Sequence, residues 1–301
     1  MWNKIFYKIL IGILTLLAYL PLNILYMFSD FIFFIVYYIV GYRRGTVKHN
    51  LNLIFGQSNP EAIPRIEKAY YHHMCDCIVE TVKLLHISDE EIDRRVDVTN
   101  GAYIDEIVNS GHSVVLLLGH YGNWEWVQAI IHHFKAPGLA GQIYRPLHNP
   151  VMDQIMLKIR SRFGLECIPQ QKAVRKILEA EHSGKKFVIG FISDQRPTTK
   201  VLHNWTDFLG QDTPYFVGGE SIGTKVDAAF VYLDVCKLKR GYYRMTFQPI
   251  VVDPNDNEEN PYTRKYMKML EETILKAPEY WLWSHKRWKR SRNVGTANKN
   301  V

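Results

Sequence analysis

The sequence predicts an α/β fold in which a mixed, mainly parallel sheet is covered by helices and preceded by an apolar helical segment. Short apolar runs typical of buried strands, such as residues 113–118 and 187–192, alternate with segments whose apolar residues recur at helical spacing. This alternation is typical of a sheet covered on both faces. Because the first forty residues carry few charges, we expect a membrane anchor over residues 1–45 and one folded domain over residues 46–301.

The helical spacing of apolar residues and the short apolar runs also predict the individual elements of the domain. Helices are predicted over residues 60–87, 101–109, 124–134, 151–163, 172–182, 218–226 and 261–276. Strands are predicted over residues 113–118, 139–144, 187–192, 229–235 and 242–252. The order of these elements is that of an α/β domain without internal repeats.

The apolar N-terminal segment has nearly the length of a membrane span. A membrane-spanning helix needs about 20 apolar residues, and residues 5–27 approach that length. A kink is predicted at Pro21. Two membrane arrangements remain open, a tilted span followed by an interfacial helix and a re-entrant hairpin in one leaflet. A buried hairpin of a soluble protein is the alternative to both. Tyr42 beside Arg43 and Arg44 resembles an interfacial anchor, and these basic residues favour a cytoplasmic domain.

The charge and the cysteines exclude several classes of protein. The formal net charge of +7 suits an anionic membrane surface, an acidic protein or a nucleic acid, but no nucleic-acid-binding signature is present. Four cysteines in 301 residues do not form a disulfide framework. The group His72, His73, Cys75 and Cys77 lies on a predicted helix, where positions two apart point in different directions. We therefore expect no nucleic-acid partner and no metal site.

Residues 118–125 form the predicted chemical centre. His120 follows the end of a predicted buried strand, the edge at which α/β sheets bind ligands. Gly122 permits a tight turn, and Asn123 can cap the following helix. Glu125 then lies in the first helical turn, from which we expect its carboxylate to fold back onto the His120 ring.

A carboxylate on one imidazole nitrogen fixes the tautomer of the ring and stabilises its protonated form. The other nitrogen then accepts a proton from a substrate hydroxyl, which attacks a thioester, and the ring returns the proton to the leaving thiolate. Taken alone, the spacing of His120 and Glu125 also fits an ordinary strand-end histidine or a metal ligand.

Four ordered sequence blocks resemble one family. Residues 119–125 (GHYGNWE) are similar to the HX4D/E block of the lysophospholipid acyltransferase superfamily, and more closely to the lipid A biosynthesis late acyltransferases, the lauroyl and myristoyl transferases. Residues 144–150 (YRPLHNP), 193–197 (SDQRP) and 278–289 (PEYWLWSHKRWK) resemble further blocks of the same family. The sequence departs from the family pattern at residues 196–199, which puts the substrate contacts of that loop in doubt.

The resemblance implies roles for further residues. Arg160 and Asp194 match a functional arginine and a functional aspartate of the family, although Arg162 is close enough to be confused with Arg160. Such an arginine can bind a phosphate of the acceptor or polarise the thioester carbonyl. Arg145 is a further candidate for substrate binding. The alternatives are a solvated helix face for Arg160 and a helix or turn cap for Asp194.

The resemblance also implies an activity, namely transfer of a fatty acyl group from acyl-acyl carrier protein to a hydroxyl of a lipid A precursor. The enzyme would lie in the cell inner membrane, in contact with membrane lipids, with its active site on the cytoplasmic face. It would need neither a metal nor a cofactor. An enzyme that acylates another lysophospholipid or glycolipid and a catalytically silent lipid-binding protein remain as alternatives.

Tryptophans alternate with basic residues near the C-terminus. Trp281, Trp283 and Trp288 lie among the histidine, lysine and arginine residues of positions 285–290. This mixture suits a membrane interface or an acidic carrier protein. It equally suits tryptophans packed in the core with solvated charges between them.

Overall fold

The computed structural model describes residues 2–135, 138–197, 203–253, 255 and 257–289. Within them the α-helices are α1 (Trp2–Tyr19), α2 (Leu22–Phe34), α3 (Arg44–Phe55), α4 (Ile63–Lys83), α5 (Asp89–Arg95), α6 (Ala102–Asn109), α7 (Pro150–Arg160), α8 (Ala173–His182), α9 (Gly218–Lys225) and α10 (Pro261–Lys276). A π-helical segment, Ile35–Val40, continues α2, and a 3₁₀ helix spans Trp126–His133.

The strands are β1 (Val96–Thr99), β2 (Val114–Leu118), β3 (Leu139–Tyr144), β4 (Glu166–Pro169), β5 (Phe187–Ile192), β6 (Trp205–Phe208), β7 (Gln211–Pro214), β8 (Ala229–Lys239) and β9 (Tyr242–Pro249). Seven of them form one sheet in the order β1-β9-β8-β2-β5-β3-β4, and β6 pairs with β7 in a separate hairpin. Every pairing in the large sheet is parallel except that of β8 with β9. The predicted mixed, mainly parallel α/β fold is confirmed.

Strand β2 lies at the centre of the sheet and is wholly buried. All five of its residues are Val or Leu, and helices α6, α9 and α10 pack against it. A strand covered in this way has no polar face, which explains the unbroken apolar run in the sequence. The strand therefore fixes the position of the chain that leaves its C-terminal end at Gly119.

Several predicted elements differ from the observed ones. Strands β1, β4, β6 and β7 are four residues long and have too few apolar residues to stand out in the sequence. The α-helix predicted over residues 124–134 is wrong, because Trp126–His133 is a 3₁₀ helix. Five consecutive side chains, Trp126 to Ile130, are buried on all sides of that helix, so tertiary packing sets its winding.

The N-terminal segment forms two helices instead of one kinked helix. Helix α1 ends at Tyr19, and the Lys83 ammonium group donates hydrogen bonds to the carbonyls of Ala18 and Leu20. Pro21 lacks an N–H and precedes the first residue of α2. The interruption predicted at Pro21 is observed, as a break between two helices and not as a kink within one span over residues 5–27. Among the described residues, Leu22–Val40 is the helix long and apolar enough to cross a membrane, with a mean hydropathy of 1.8 over 19 residues.

Both N-terminal helices contact the folded domain along one side and leave the other side apolar. Helix α1 packs on α4 and α7, and α2 packs on α4. Only 22% of the Leu22–Val40 segment is buried inside the molecule, so it is not an enclosed core helix. The exposed apolar side chains of this surface include Ile9, Ile13, Leu16, Met27, Phe31 and Ile39.

Candidate active site

The candidate site lies where two neighbouring parallel strands end. Leu118, the last residue of β2, pairs with Ile192, the last residue of β5. His120 and Asp194 each follow their strand end by two residues, so the register of the sheet brings them together. The Asp194 Oδ1 atom lies 2.6 Å from His120 Nδ1, and Asp194 Oδ2 accepts a hydrogen bond of 3.0 Å from the His120 backbone N–H.

Asp194 is held as a buried, ionised carboxylate. Its side chain is 2% exposed, and its Oδ2 atom also accepts a 2.9 Å hydrogen bond from the indole N–H of Trp281. Burial alone would raise the pKa of Asp194, but the His120 ring and these hydrogen bonds outweigh burial and lower the pKa to about 2. Because an ionised carboxylate only accepts hydrogen bonds, the proton between the two side chains is on His120 Nδ1. The lone pair of the ring is then on Nε2.

Glu125 contacts a different partner from the one predicted. Its carboxylate binds the guanidinium of Arg160, the last residue of α7, through two hydrogen bonds of 2.5 and 2.9 Å. The predicted contact between Glu125 and the His120 ring is therefore wrong, and Asp194 takes that position. The reason is a tight turn at Asn123, whose Oδ1 atom accepts hydrogen bonds from the backbone N–H groups of Glu125 and Trp126. After this turn, the Glu125 carboxylate contacts the guanidinium of Arg160.

Arg162 and Arg145 are not partners of Glu125 in this ion pair. Arg162 donates a hydrogen bond to the Ile87 carbonyl, so Arg160 and not Arg162 contacts Glu125. The Arg160 side chain is 22% exposed and ion-paired, which does not fit a solvated helix face. Arg145, which follows β3, is exposed.

The turn between His120 and Glu125 requires a glycine at position 122. Gly122 has a φ of +59°, and a Cβ atom there would lie 2.8 Å from Val235 Cγ1, so glycine is required on both counts. This result agrees with the tight turn predicted at Gly122. The predicted capping role of Asn123 is also observed, although the helix that follows is of the 3₁₀ type.

Glu80 of α4 is a buried carboxylate beneath the same turn. It accepts hydrogen bonds from the side chains of Tyr26, Asn123 and Tyr243, and its backbone carbonyl accepts one from the Trp126 indole. Burial raises the pKa of Glu80. Since the Asn123 amide group donates to Glu80, its oxygen is directed at the backbone of the turn. Through Glu80, hydrogen bonds therefore connect Tyr26 of α2 and Tyr243 of β9 with Asn123 in the turn of the candidate site.

The C-terminal tryptophans are structural residues of the site. Trp281 and Trp283 are 2% and 0% exposed, which selects the core over the membrane interface for both. The Trp288 indole donates to the Thr213 hydroxyl. The backbone of residues 280–282 joins the turn, because the Leu282 N–H donates to the His120 carbonyl and the Gly122 N–H donates to the Tyr280 carbonyl.

An apolar cavity opens beside the candidate site. It extends between the sheet and the 3₁₀ helix, and Trp124, which lines it, packs edge-on against the His120 ring at a centroid distance of 5.3 Å. The cavity wall is almost wholly apolar, with Gln128 and Gln142 as the polar exceptions. Gly141 and Gly190 on neighbouring strands leave part of this space free of side chains.

The histidine–cysteine group on α4 has a packing role. His73 Nε2 and the Cys77 thiol both contact the Gly122 carbonyl, and the His73, Cys75 and Cys77 side chains are buried. Burial lowers the pKa of His73 to about 3, so its ring is neutral. The described part of the chain contains no cluster of three or more histidine, cysteine or acidic side chains that could hold a metal.

Comparison with known proteins assigns this site to a family. The model of the bacterial lipid A biosynthesis acyltransferases matches residues 3–290, nearly the whole chain. The chain belongs to this family. The lipid A biosynthesis lauroyltransferase of Escherichia coli strain K12 is 22% identical over 283 residues, which cover 93% of this chain and 90% of that protein. The lipid A biosynthesis palmitoleoyltransferase of the same strain is 22% identical over 290 residues, 96% of this chain and 92% of that protein.

The lipid A biosynthesis acyltransferases are transferases, and the resemblance inferred from the sequence blocks is thereby confirmed. The family match includes α1 and α2, so the N-terminal helices belong to the region that the family shares. It also includes the two strand ends that bring His120 and Asp194 together. The protein is therefore an acyltransferase of lipid A biosynthesis, with a histidine hydrogen-bonded to a buried carboxylate at the C-terminal edge of its central sheet.

Proposed function

We propose that this acyltransferase moves a fatty acyl group from acyl-acyl carrier protein to a hydroxyl of a lipid A precursor, with His120 as the general base. The observation that supports this proposal best is the His120–Asp194 pair. Asp194 holds the proton on Nδ1 and leaves the Nε2 lone pair for a substrate hydroxyl. A small apolar cavity is lined by Trp124, which packs against the His120 ring, and in this proposal it marks where the acyl chain enters.

The proposed reaction needs no covalent enzyme intermediate. The acceptor hydroxyl gives its proton to His120 Nε2 as its oxygen attacks the carbonyl carbon of the thioester. The resulting imidazolium is stabilised by the ionised Asp194, which itself stays unprotonated. The tetrahedral intermediate then expels the thiolate as the carbon–sulfur bond breaks. His120 Nε2 returns the proton to sulfur, and an ester and a free thiol result.

Glu125 acts through Arg160 in this proposal. A two-point ion pair fixes the plane of the guanidinium and occupies its Nε and Nη2 atoms. The Nη1 atom remains for a substrate oxygen, either a phosphate of the acceptor or the thioester carbonyl. Glu125 is thus a positioning residue for Arg160, and Arg145 on the exposed side of the site is a second candidate for phosphate binding.

The N-terminal helices would attach the enzyme to the cytoplasmic face of the inner membrane. Helices α1 and α2 present an apolar surface on the side that faces away from the domain. Such a surface suits helices that lie in the membrane interface, where apolar side chains enter the acyl region. The acceptor, itself a membrane lipid, would then reach the active site without leaving the bilayer.

The direct test is an assay with purified full-length protein, acyl-acyl carrier protein and a lipid A precursor that bears a 3-hydroxyacyl chain. Mass spectrometry should detect a product heavier by one acyl group. The same donor with a lysophospholipid as acceptor should give no product, and acyl-coenzyme A should be a poorer donor than the carrier protein. Acylation of the lysophospholipid alone would instead identify the enzyme as acting on another lipid.

Gly190 offers a test of the acyl cavity. A Cβ atom at this position would have its nearest contacts at 3.8 Å, an ordinary distance, so a side chain can begin here without a clash and would extend into cavity space. We expect Gly190→Val to shift the preferred donor to a chain about two carbons shorter, with a roughly tenfold loss for the original donor. That loss corresponds to about 1.4 kcal/mol in activation free energy, close to the free energy gained by burying two methylene groups.

The measurement is the initial rate of transfer over a series of donor chain lengths, for wild type and Gly190→Val in parallel. The shortest donors provide the internal control, because their rates should not change. A uniform loss at every chain length would show that the cavity does not hold the acyl chain.

A further inference from the structure

The nitrogen that the proposed reaction needs is occupied in the resting structure. The side-chain amide of Gln195 lies 3.1 Å from His120 Nε2. An amide nitrogen only donates hydrogen bonds, so His120 Nε2 is the acceptor, in agreement with the ring proton on Nδ1 that is donated to Asp194. An acceptor hydroxyl therefore cannot bind Nε2 until Gln195 moves.

Several contacts anchor the residue before Gln195, whereas one described hydrogen bond holds its own side chain. Asp194 is anchored by three hydrogen bonds, from His120 Nδ1, the His120 backbone and the Trp281 indole. The Gln195 side chain is half-buried, and in the described part of the chain its amide has one hydrogen bond, to His120. A single neutral hydrogen bond contributes a factor of only about two to ten, so a bound hydroxyl can replace it.

We propose that Gln195 controls access to the proposed base, because its side-chain amide covers His120 Nε2 until the acceptor hydroxyl displaces it. This inference rests on the proposed function. Its consequence is protection of the acyl donor from water. An uncovered Nε2 would accept a proton from water as the water oxygen attacks the thioester carbon. The carbon–sulfur bond would break, the ring would return the proton to the thiolate, and a free fatty acid and a thiol would result.

The test compares hydrolysis with transfer. Purified full-length wild type, Gln195→Ala and Gln195→Met are incubated with acyl-acyl carrier protein, with and without the lipid A precursor. We expect both variants to hydrolyse the donor about two to ten times faster than wild type in the absence of acceptor. Transfer at saturating acceptor should stay within about threefold of wild type, so the ratio of transfer to hydrolysis falls.

Gln248→Ala is the matched control, because this half-buried glutamine on β9 bonds to Asp234, away from the site. Gln195→Met keeps the side-chain length and covers the case in which Gln195→Ala does not fold. Hydrolysis that is unchanged in both folded variants, or that falls in parallel with transfer, would overturn the role proposed for Gln195. Failure of the proposed function has a different signature, since His120→Ala would then leave hydrolysis or transfer intact.

Discussion

Replacement of His120 by alanine should lower the rate of acyl transfer by about 10²- to 10⁴-fold, the usual contribution of a positioned acid–base group. The loss should be in kcat, because the ring acts on the hydroxyl proton and not on the acyl chain or the lipid surface. Because the variant also removes one partner of the buried Asp194 carboxylate, thermal unfolding measured in parallel should show a modest loss of stability in a protein that is still folded. Steady-state kinetics of purified protein with acyl-acyl carrier protein measure the effect.

His182→Ala is the matched control for this variant. His182 is exposed at the end of α8, and its removal should leave transfer unchanged. Transfer by folded His120→Ala within about threefold of wild type would refute the general-base mechanism.

Asp194→Asn should be the next most damaging change, with a loss in kcat of about 10²- to 10⁴-fold. An asparagine has nearly the same shape, but its neutral amide cannot stabilise the protonated ring and does not fix the proton on Nδ1. The backbone N–H of His120 and the Trp281 indole would also lose a charged acceptor. The measurement is the single-turnover rate of transfer, which isolates the chemical step.

Glu125→Gln is the comparison that distinguishes the two carboxylates. Its amide oxygen can still accept one hydrogen bond from Arg160, so we expect a loss of roughly tenfold, consistent with one weakened charge-assisted hydrogen bond. A greater loss of kcat in Glu125→Gln than in Asp194→Asn would show that Glu125, and not Asp194, orients the His120 ring.

The sequence predicts the fold well because its core strands are strongly apolar. Strands β2 and β5 are nearly unbroken runs of apolar residues, and their observed bounds differ from the predicted ones by one residue or less. The short strands β1 and β4 lie at the edges of the sheet and lack that pattern. Pro21 marks an interruption in the sequence, but the capping of α1 by Lys83 depends on a residue more than sixty positions away.

The contacts among the candidate site residues could not be predicted from the sequence. Nearness in sequence suggests that Glu125 contacts His120, whereas the contact with Asp194 depends on the adjacency of β2 and β5, which are not consecutive strands. One signal in the sequence could have indicated the contact between His120 and Asp194, since each of them lies two positions after the end of a buried strand. The roles of Gln195 and Glu80 depend on tertiary contacts that no local pattern records.

The orientation of His120 by Asp194 is tested most directly by proton NMR of the imidazole N–H. A ring proton donated to a carboxylate at 2.6 Å resonates far downfield of ordinary amide protons. We predict this signal in wild type and in Glu125→Gln, and its loss in His120→Ala and Asp194→Asn. A downfield signal that persists in Asp194→Asn and disappears in Glu125→Gln would contradict the pairing of His120 with Asp194.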